Sequence, residues 1–427
     1  MKRVLTGVLV AASGAFLLSC GGSTSTTTPP SGQKFRAFVS QDVSATTASP
    51  GLVIVNAQLD RLTFTSSVSA GPSPGLMAEP ASRVLTMVFN AADNEINIVN
   101  NAKETSNGKV TLPASTESMA ATSDSTLGFA AVPDAPVAGL APGEVGVINL
   151  ASATLQAPLC VPQADGSCVI PNPNIFSGAR YIALSGDNTH LLVFGDILTV
   201  ATLTNIGTTS NPNWTVSKVS IPAGGAATNL DHPVWAVFSQ DNRTAYILSC
   251  GAECGGTTSS VTPLDLTTNQ LGASTVLPGG ASYGASFGST VYVAGSAGCG
   301  AAGANPNSCG KLAILNTAGS SVQVIKTVTI SNGYHNRMAV TADNQVFVGA
   351  QGCTGGCLSI YNSSNGNVVI GSDLGDVTGI QPITGRTQVY VVENGELRNW
   401  STVTDALAPP QQQMDIVGQA IDVKLVD

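Results

Sequence analysis

Internal repetition constrains this chain more than any other feature. A polar turn between apolar strands recurs as Thr122-Ser-Asp124-Ser, Ser185-Gly-Asp187-Asn, Ser239-Gln-Asp241-Asn and Thr341-Ala-Asp343-Asn. A second mark, an apolar strand ending in an Asx residue, recurs at Asn56, Asn100, Asn149, Asp265, Asn316 and Asn362. Both series repeat at about 45–60 residues or a double step, the scale of a supersecondary unit that must stack on neighbours to bury its faces. Asx side chains bond the backbone two residues on, which places both marks at hairpin turns. Between the marks, apolar and polar residues alternate, as in VYVAG at 291–295 and VFVGA at 346–350. That is the period of a strand.

Four strands per unit, named a to d, account for the pattern. Strand a is clearest at 233–239 and 337–341, b at 289–294, c at 311–316 and d at 326–330. Strands b near 36, 84, 127, 190, 243, 289, 345 and 387 mark eight units. The first unit lacks its own strand a, and the alternating segment QAIDVKLVD at 419–427 is available to supply it. Such a junction closes a ring without leaving a sheet edge. The expected fold is all-β, a single β-propeller of eight four-stranded blades closed by the C-terminal strand. Seven blades is the alternative if one irregular unit is an insertion. Residues 143–180, with a Pro-rich connection at 158–173, are the least regular.

The Val-aromatic-Val cores, written here as AFVS, VYVAG, VFVGA and VYVVEN, are similar to the repeats of YVTN-type and lactonase-like propellers. The resemblance spans most of 35–427. It implies the propeller fold, and either a binding or scaffolding role or hydrolysis of a lactone or ester at the mouth of the central channel. Calcium or zinc enters only under the hydrolytic alternative; the binding reading implies no cofactor.

Lys2 and Arg3 precede an apolar run, Val4 to Leu18, that is too short to span a bilayer, which takes about 20 apolar residues. The run ends in Leu17-Leu18-Ser19-Cys20, which resembles the lipobox of bacterial lipoproteins. The resemblance implies cleavage after residue 19 and acylation of Cys20, with Gly21 in place of Asp implying the outer membrane. The segment that follows, GGSTSTTTPPSGQ, has no charge and no large apolar side chain, the composition of a tether. The chain thus reads as a leader at 1–19, a lipidated cysteine and tether at 20–34, and a propeller at 35–427, held at the bacterial cell envelope.

Charged residues make up only 10% of the chain, while 46 glycines and 23 prolines are spread along it. Long amphipathic helices are therefore not expected. Loss of the leader takes the net charge from −9 to −11. With the basic residues scattered, nucleic acid is excluded as a partner. The partners that remain are the membrane, through the anchor, and an envelope protein, glycan or small molecule.

Of nine cysteines, Cys20 belongs to the lipid and eight form near pairs: Cys160 with Cys168, Cys250 with Cys254, Cys299 with Cys309, and Cys353 with Cys357. In an oxidising compartment these read as four local disulfides, worth roughly 2–3 kcal/mol each. A zinc site built from the two C-x₃-C pairs is the rival reading, but no histidine lies near those cysteines. The pairs fall in b–c or d–a connections, which emerge on one face of a propeller, and that face is the expected binding face.

Candidate ligand residues gather where strand a meets the channel: Arg180, His232, Tyr283, His335, Arg337 and Glu79, with Asn336 and Glu117 beside them. Such a ring suits an anion, a cation, or a polarised carbonyl with His as proton carrier. No catalytic set is assigned. The overlapping Gly280-Ala-Ser282-Tyr-Gly284 match to a nucleophile elbow falls in strand a rather than at a strand-to-helix turn, and is set aside. For the anchor, Cys20→Ser should move the protein from the membrane pellet to the soluble fraction. Retention through a high-salt wash would overturn it.

Overall fold

The computed structural model describes residues 29–427 except 45–50, 164, 166, 204–213, 220–229, 301–303, 306, 320, 372–374 and 411. Cys20, the leader and most of the tether lie outside these residues. Eight antiparallel four-stranded blades form a ring, seven with their strands in sequence order and the first completed by the C-terminal strand. The outermost strand of blades V and VIII is split into two short pieces, and a separate two-stranded hairpin at Val161–Pro162 and Cys168–Val169 accompanies the ring. Blades are numbered I to VIII along the chain. Their inner strands a are Gln419–Leu425 (I), Pro74–Ala78 (II), Ser118–Ala121 (III), Tyr181–Leu184 (IV), Pro233–Phe238 (V), Tyr283–Phe287 (VI), Tyr334–Val340 (VII) and Val377–Pro382 (VIII). The hairpin fills the irregular stretch after blade III, whose strand d is only Thr154–Leu155.

Both repeat marks have a local physical cause. In the a–b turns, the first hydroxyl donates to the carboxylate two residues on: Thr122 to Asp124 at 2.6 Å, Ser185 to Asp187 at 2.6 Å, Ser239 to Asp241 at 2.7 Å, and Thr341 to Asp343 at 2.5 Å. The fourth residue takes a left-handed backbone, with φ of 61° at Ser125, 62° at Asn188, 54° at Asn242 and 64° at Asn344. Asn enters that region more readily than most residues, which explains its recurrence there. The Asx residues that close strands c cap the c–d turns in the same way. Leu59 N–H donates to Asn56 at 2.9 Å, Lys103 N–H to Asn100 at 2.9 Å, and Thr267 N–H to Asp265 at 2.7 Å.

Alternation within a strand serves two interfaces at once. In strand b of blade VI, Val291 and Val293 pack with Val237 and Leu248 of blade V, while Tyr292 and Ala294 pack with Val346 and Val348 of blade VII. Every blade is buried on both faces, so the core is a chain of interblade layers rather than one centre. Each fully buried Val, Leu or Phe in those layers contributes roughly 1.5–3 kcal/mol.

The seam is blade I. Gln419–Leu425 pairs with Arg36–Asp42, from Ala37 opposite Leu425 to Asp42 opposite Gln419. Gly379 of blade VIII lets the closing strand approach, since a Cβ there would sit 3.0 Å from Asp422 Oδ1 and 3.1 Å from Asp422 Cα. Arg36 is 2% exposed and reaches three ways. It donates to Asp427 Oδ2 at 2.7 Å from Nε and to Asp427 Oδ1 at 2.5 Å from Nη2, and from Nη1 to Glu104 at 2.7 Å and to Asn101 O at 2.8 Å. On the other side of the seam, Arg386 of blade VIII grips Asp60 at 2.6 and 2.7 Å, and Tyr390 O–H donates to the same carboxylate at 2.6 Å.

Removing Arg36 would strand the buried Glu104 carboxylate. Arg36→Ala should therefore cost about 3–5 kcal/mol, read as a lower urea midpoint. A loss under about 1 kcal/mol would show that backbone pairing alone holds the seam.

Candidate functional site: the channel mouth

Only inner strands face the central channel, and β-bulges increase what they present. In blade VII, His335 lies opposite Ala350 and Arg337 opposite Gly349, so Asn336 is the extra residue. Blade V does the same at Val234, between Pro233 and Trp235. Comparable shifts occur in strands a of blades I, II and VIII. A bulge re-aims side chains at the end of a strand. As a result, consecutive residues such as Asn336 and Arg337, or Val234 and Trp235, both line the channel.

On the face bearing the d–a and b–c connections, two cavities of about 830 Å³ and 480 Å³ adjoin, sharing Tyr181, Val234 and Tyr334. Four aromatic rings from consecutive blades form one wall: Tyr181, Trp235, Tyr283 and Tyr334. Trp235 and Tyr283 stack with centroids 4.7 Å apart. The Tyr181 and Tyr334 hydroxyls are 3.3 Å apart. Burial, with the neighbouring Tyr181 phenol, pushes the Tyr334 phenol well above its ordinary range, so it remains a neutral donor.

The same cavities also carry polar side chains. Arg337 is braced by Thr378 O at 2.8 Å and Asn336 O at 2.9 Å, and it pairs with no carboxylate among the described residues. Asp422 accepts Met77 N–H at 3.0 Å and lies 3.3 Å from Lys424 Nζ. Arg180 faces Glu117 at 3.4 Å, but both side chains are about half exposed, so the pair is weak.

The predicted residues thus separate. Tyr283 and Arg337 line the inner cavity, and Arg180 and His232 the outer one. His335 is a correction. It is fully buried, with Nδ1 3.4 Å from Ser296 Oγ, and burial pushes its imidazole down to about 4. The bulge at Asn336 hands the channel to that residue and to Arg337, and leaves His335 against blade VI, where Gly310 would clash with its ring if given a Cβ. Glu79 is a second correction. It follows strand a of blade II rather than preceding it, and so lies at the other end of the channel. Ser282 is 3% exposed and donates to Ala294 O at 3.2 Å, which leaves no nucleophile elbow.

His232 is held in a left-handed backbone, φ 56°, with Nδ1 2.7 Å from Asp231 Oδ1. Asp231 also accepts Thr257 N–H at 2.5 Å, Thr258 N–H at 2.8 Å and the Thr257 hydroxyl at 3.0 Å. Those backbone donors, with His232, hold the carboxyl well below the usual carboxylate range. An anchored carboxylate that orients an imidazole fixes which ring nitrogen faces the cavity.

Three predicted disulfides are formed, Cys250–Cys254, Cys299–Cys309 and Cys353–Cys357, all in b–c connections of blades V to VII. Cys160 is disulfide-bonded, while the side chain of its expected partner Cys168 lies outside the described residues. The loops interlock across blades: Ser296 N–H donates to Glu253 at 3.0 Å, and the Thr354 hydroxyl donates to Asn307 at 2.8 Å. Glu253, inside the Cys250–Cys254 loop, is a rim residue that sequence reasoning missed. Its Oε1 is buried without a hydrogen bond, and burial pushes the carboxyl up to about 7. The only available signal was an acid enclosed by a C-x₃-C pair. Among the described residues, no group of three or more His, Cys, Asp and Glu side chains is placed to hold a metal ion.

No family model and no curated protein matches this chain. Solved structures match its fold. The dihydro-heme d1 dehydrogenase NirN in complex with DHE is 13% identical with a TM-score of 0.60, over 92% of this chain and 75% of that one. The periplasmic gluconolactonase PpgL of Pseudomonas aeruginosa is 11% identical with a TM-score of 0.53, over 92% and 99%. Hydrazine synthase of Kuenenia stuttgartiensis is 12% identical with a TM-score of 0.53, over 80% and 99%. The class is an eight-bladed β-propeller, and at these identities the likeness is one of fold.

Glu253 sets a pH test. Its folded pKa lies above the ordinary 4.5, so the unfolded chain releases that proton first. Glu253 therefore favours folding most below about pH 4.5, and stability drains away as the pH rises to about 7. Glu253→Gln should gain melting temperature relative to wild type across that window and hold the gain above it. An offset that does not change with pH would refute the buried carboxyl.

Proposed function

We infer that this protein is an extracytoplasmic binding propeller, tethered to the cell envelope through Cys20, that takes a small ring-bearing polar ligand or the end of a glycan in the channel mouth. The observation that carries this reading is one cavity lined both by the rings of Tyr181, Trp235, Tyr283 and Tyr334 and by the polar side chains of Arg337, Asn336 and Asp422. Ring faces stack on the apolar faces of a ligand, while the few polar groups fix its orientation. The disulfide-braced loops above blades V to VII keep that geometry before the ligand arrives, which limits the ordering cost of binding.

Hydrolysis of a lactone or ester is the second reading, favoured by the Asp231–His232 pair at the outer cavity and by the fold likeness to a periplasmic gluconolactonase. There His232 would take a proton from water as its oxygen adds to the acyl carbon, and return it to the departing alkoxide.

One experiment separates the two. A panel of sugars, sugar acids and sugar lactones is titrated against tryptophan fluorescence, and hydrolysis is followed in parallel. Saturable quenching without turnover, weakened roughly thirtyfold by Tyr283→Ala, which leaves the Trp235 reporter in place, would support binding. Turnover that His232→Ala abolishes would overturn it in favour of the hydrolase. No response to any member of the panel would remove the channel mouth as a small-ligand site.

A further inference from the structure

The opposite end of the channel is built as carefully as the mouth, from different parts. The a–b turns of blades II to V bond to one another in sequence. Ser82 N–H donates to Ser123 O at 3.0 Å, Ser123 N–H to Asn188 Oδ1 at 2.9 Å, and Gly186 N–H to Asn242 Oδ1 at 2.9 Å. Asn188 also returns a hydrogen bond to Ser123 Oγ at 2.7 Å. These turns rim a cavity of about 500 Å³ whose wall is about as polar as it is apolar, the apolar part including Met77, Met119, Ile182, Trp235 and Phe238.

Two ionisable side chains enter that cavity, Glu79 and Lys424. The Lys424 charge is already matched, since its Nζ lies 3.3 Å from Asp422 Oδ1. Glu79 feels Arg83 and Lys424 only through space, with no ion pair to either among the described residues. Its Oε1 is buried and accepts no hydrogen bond, although a buried carboxyl is costly without a donor. Burial pushes it up to about 8, with Arg83 and Lys424 opposing the shift and Asp427 adding to it. Arg83 is itself committed to the Asp427 carbonyl and to Thr384.

What completes such a site is a donor that brings positive charge on an apolar body. A carboxylate would meet Glu79 and Asp422. A neutral alcohol would supply one hydrogen bond and no charge. An ammonium supplies three donors and the positive charge. We propose that this cavity, which shares Met77, Met119, Trp235 and Lys424 with the inner cavity of the mouth, is a second binding site at the other end of the channel, for a small primary ammonium with an apolar tail whose nitrogen is held by Glu79. Glu79 gives up its proton to solvent as the ammonium pairs with the carboxylate, and the ligand keeps all of its own.

The test is calorimetry on the purified protein with hexylammonium, hexanoate and 1-hexanol, in two buffers of different ionisation enthalpy. Hexylammonium should bind, release close to one proton at about pH 6, and tighten about tenfold by about pH 7. Glu79→Gln, checked for an unchanged circular dichroism spectrum, should lose at least about tenfold in affinity together with the proton release. The proposal falls if hexanoate or hexanol binds as well, if hexylammonium binds without releasing a proton, if Glu79→Gln changes neither quantity, or if no probe binds. The proton count is read on the wild-type protein, so the proposal can be refuted even if the variant does not fold.

Discussion

Everything in this ring depends on one antiparallel pairing, between Gln419–Leu425 and Arg36–Asp42. The strands come from distant parts of the sequence, and their pairing completes blade I by covering the inner edge of Arg36–Asp42. Backbone pairing alone tolerates slippage, because a one-residue shift preserves hydrogen bonding while reversing every side chain. Arg36 sets the register. Its two-pronged contact with Asp427 can form only when the last residue reaches the rim, and its third contact ties Glu104 of blade II to the same point. A buried ion cluster is a poor source of net stability, and its better-attested role is to specify one arrangement among several.

Once the ring is closed, most side chains are spent on interblade packing, since each strand feeds two interfaces. Little is left for function except the inner strands, which is why their bulges matter. An unbulged strand presents alternate residues to the channel. The bulges at Val234 and Asn336 double this locally and create the juxtaposition of Trp235 with Tyr283 and of Arg337 with Asn336. The resulting mouth sets aromatic rings on blades IV to VII beside charged groups on blade VII, Arg337, and on blade I, Asp422 and Lys424. Such asymmetry orients a ligand, whereas a uniform ring would only accommodate one.

The ring was legible because its signals are local. Asp124, Asp187 and Asp241 mark turns through contacts within five residues, and Asn56 or Asn100 through contacts within three, so each repeat writes its own boundaries. The closing strand was legible from alternation plus a missing partner. Individual site residues were harder, because side-chain direction on an inner strand depends on bulges, and nothing in the sequence around His335-Asn336-Arg337 announces the extra residue. A single inserted position turned a supposed channel histidine into an interblade one. Glu79 was misplaced for a related reason: the short strand Pro74–Ala78 ends before it, and a boundary error of a few residues moves a side chain from one end of the channel to the other. Glu253 was invisible because its character comes from Ser296 and Gly280, which belong to the next blade.

The two ends of the channel solve the same problem with different chemistry, and the difference bears on what each can hold. Short Asx turns are rigid by themselves, and four of them linked through Ser123, Asn188 and Asn242 need no covalent help. Among the described residues, the longer b–c connections of blades V and VI carry one short 3₁₀ turn each, at Gly251–Cys254 and Ala297–Gly300, and that of blade VII carries none. There the disulfides supply the rigidity. The blades so braced are those that contribute Trp235, Tyr283 and Tyr334, three of the four rings in the wall. Rigidity placed over the aromatic wall lowers the entropy a ligand must overcome there, and it adds nothing to a ring already fixed by its seam. Long loops therefore take covalent bracing where the rings stand, while the short turns at the other end hold their shape through their own hydrogen bonds.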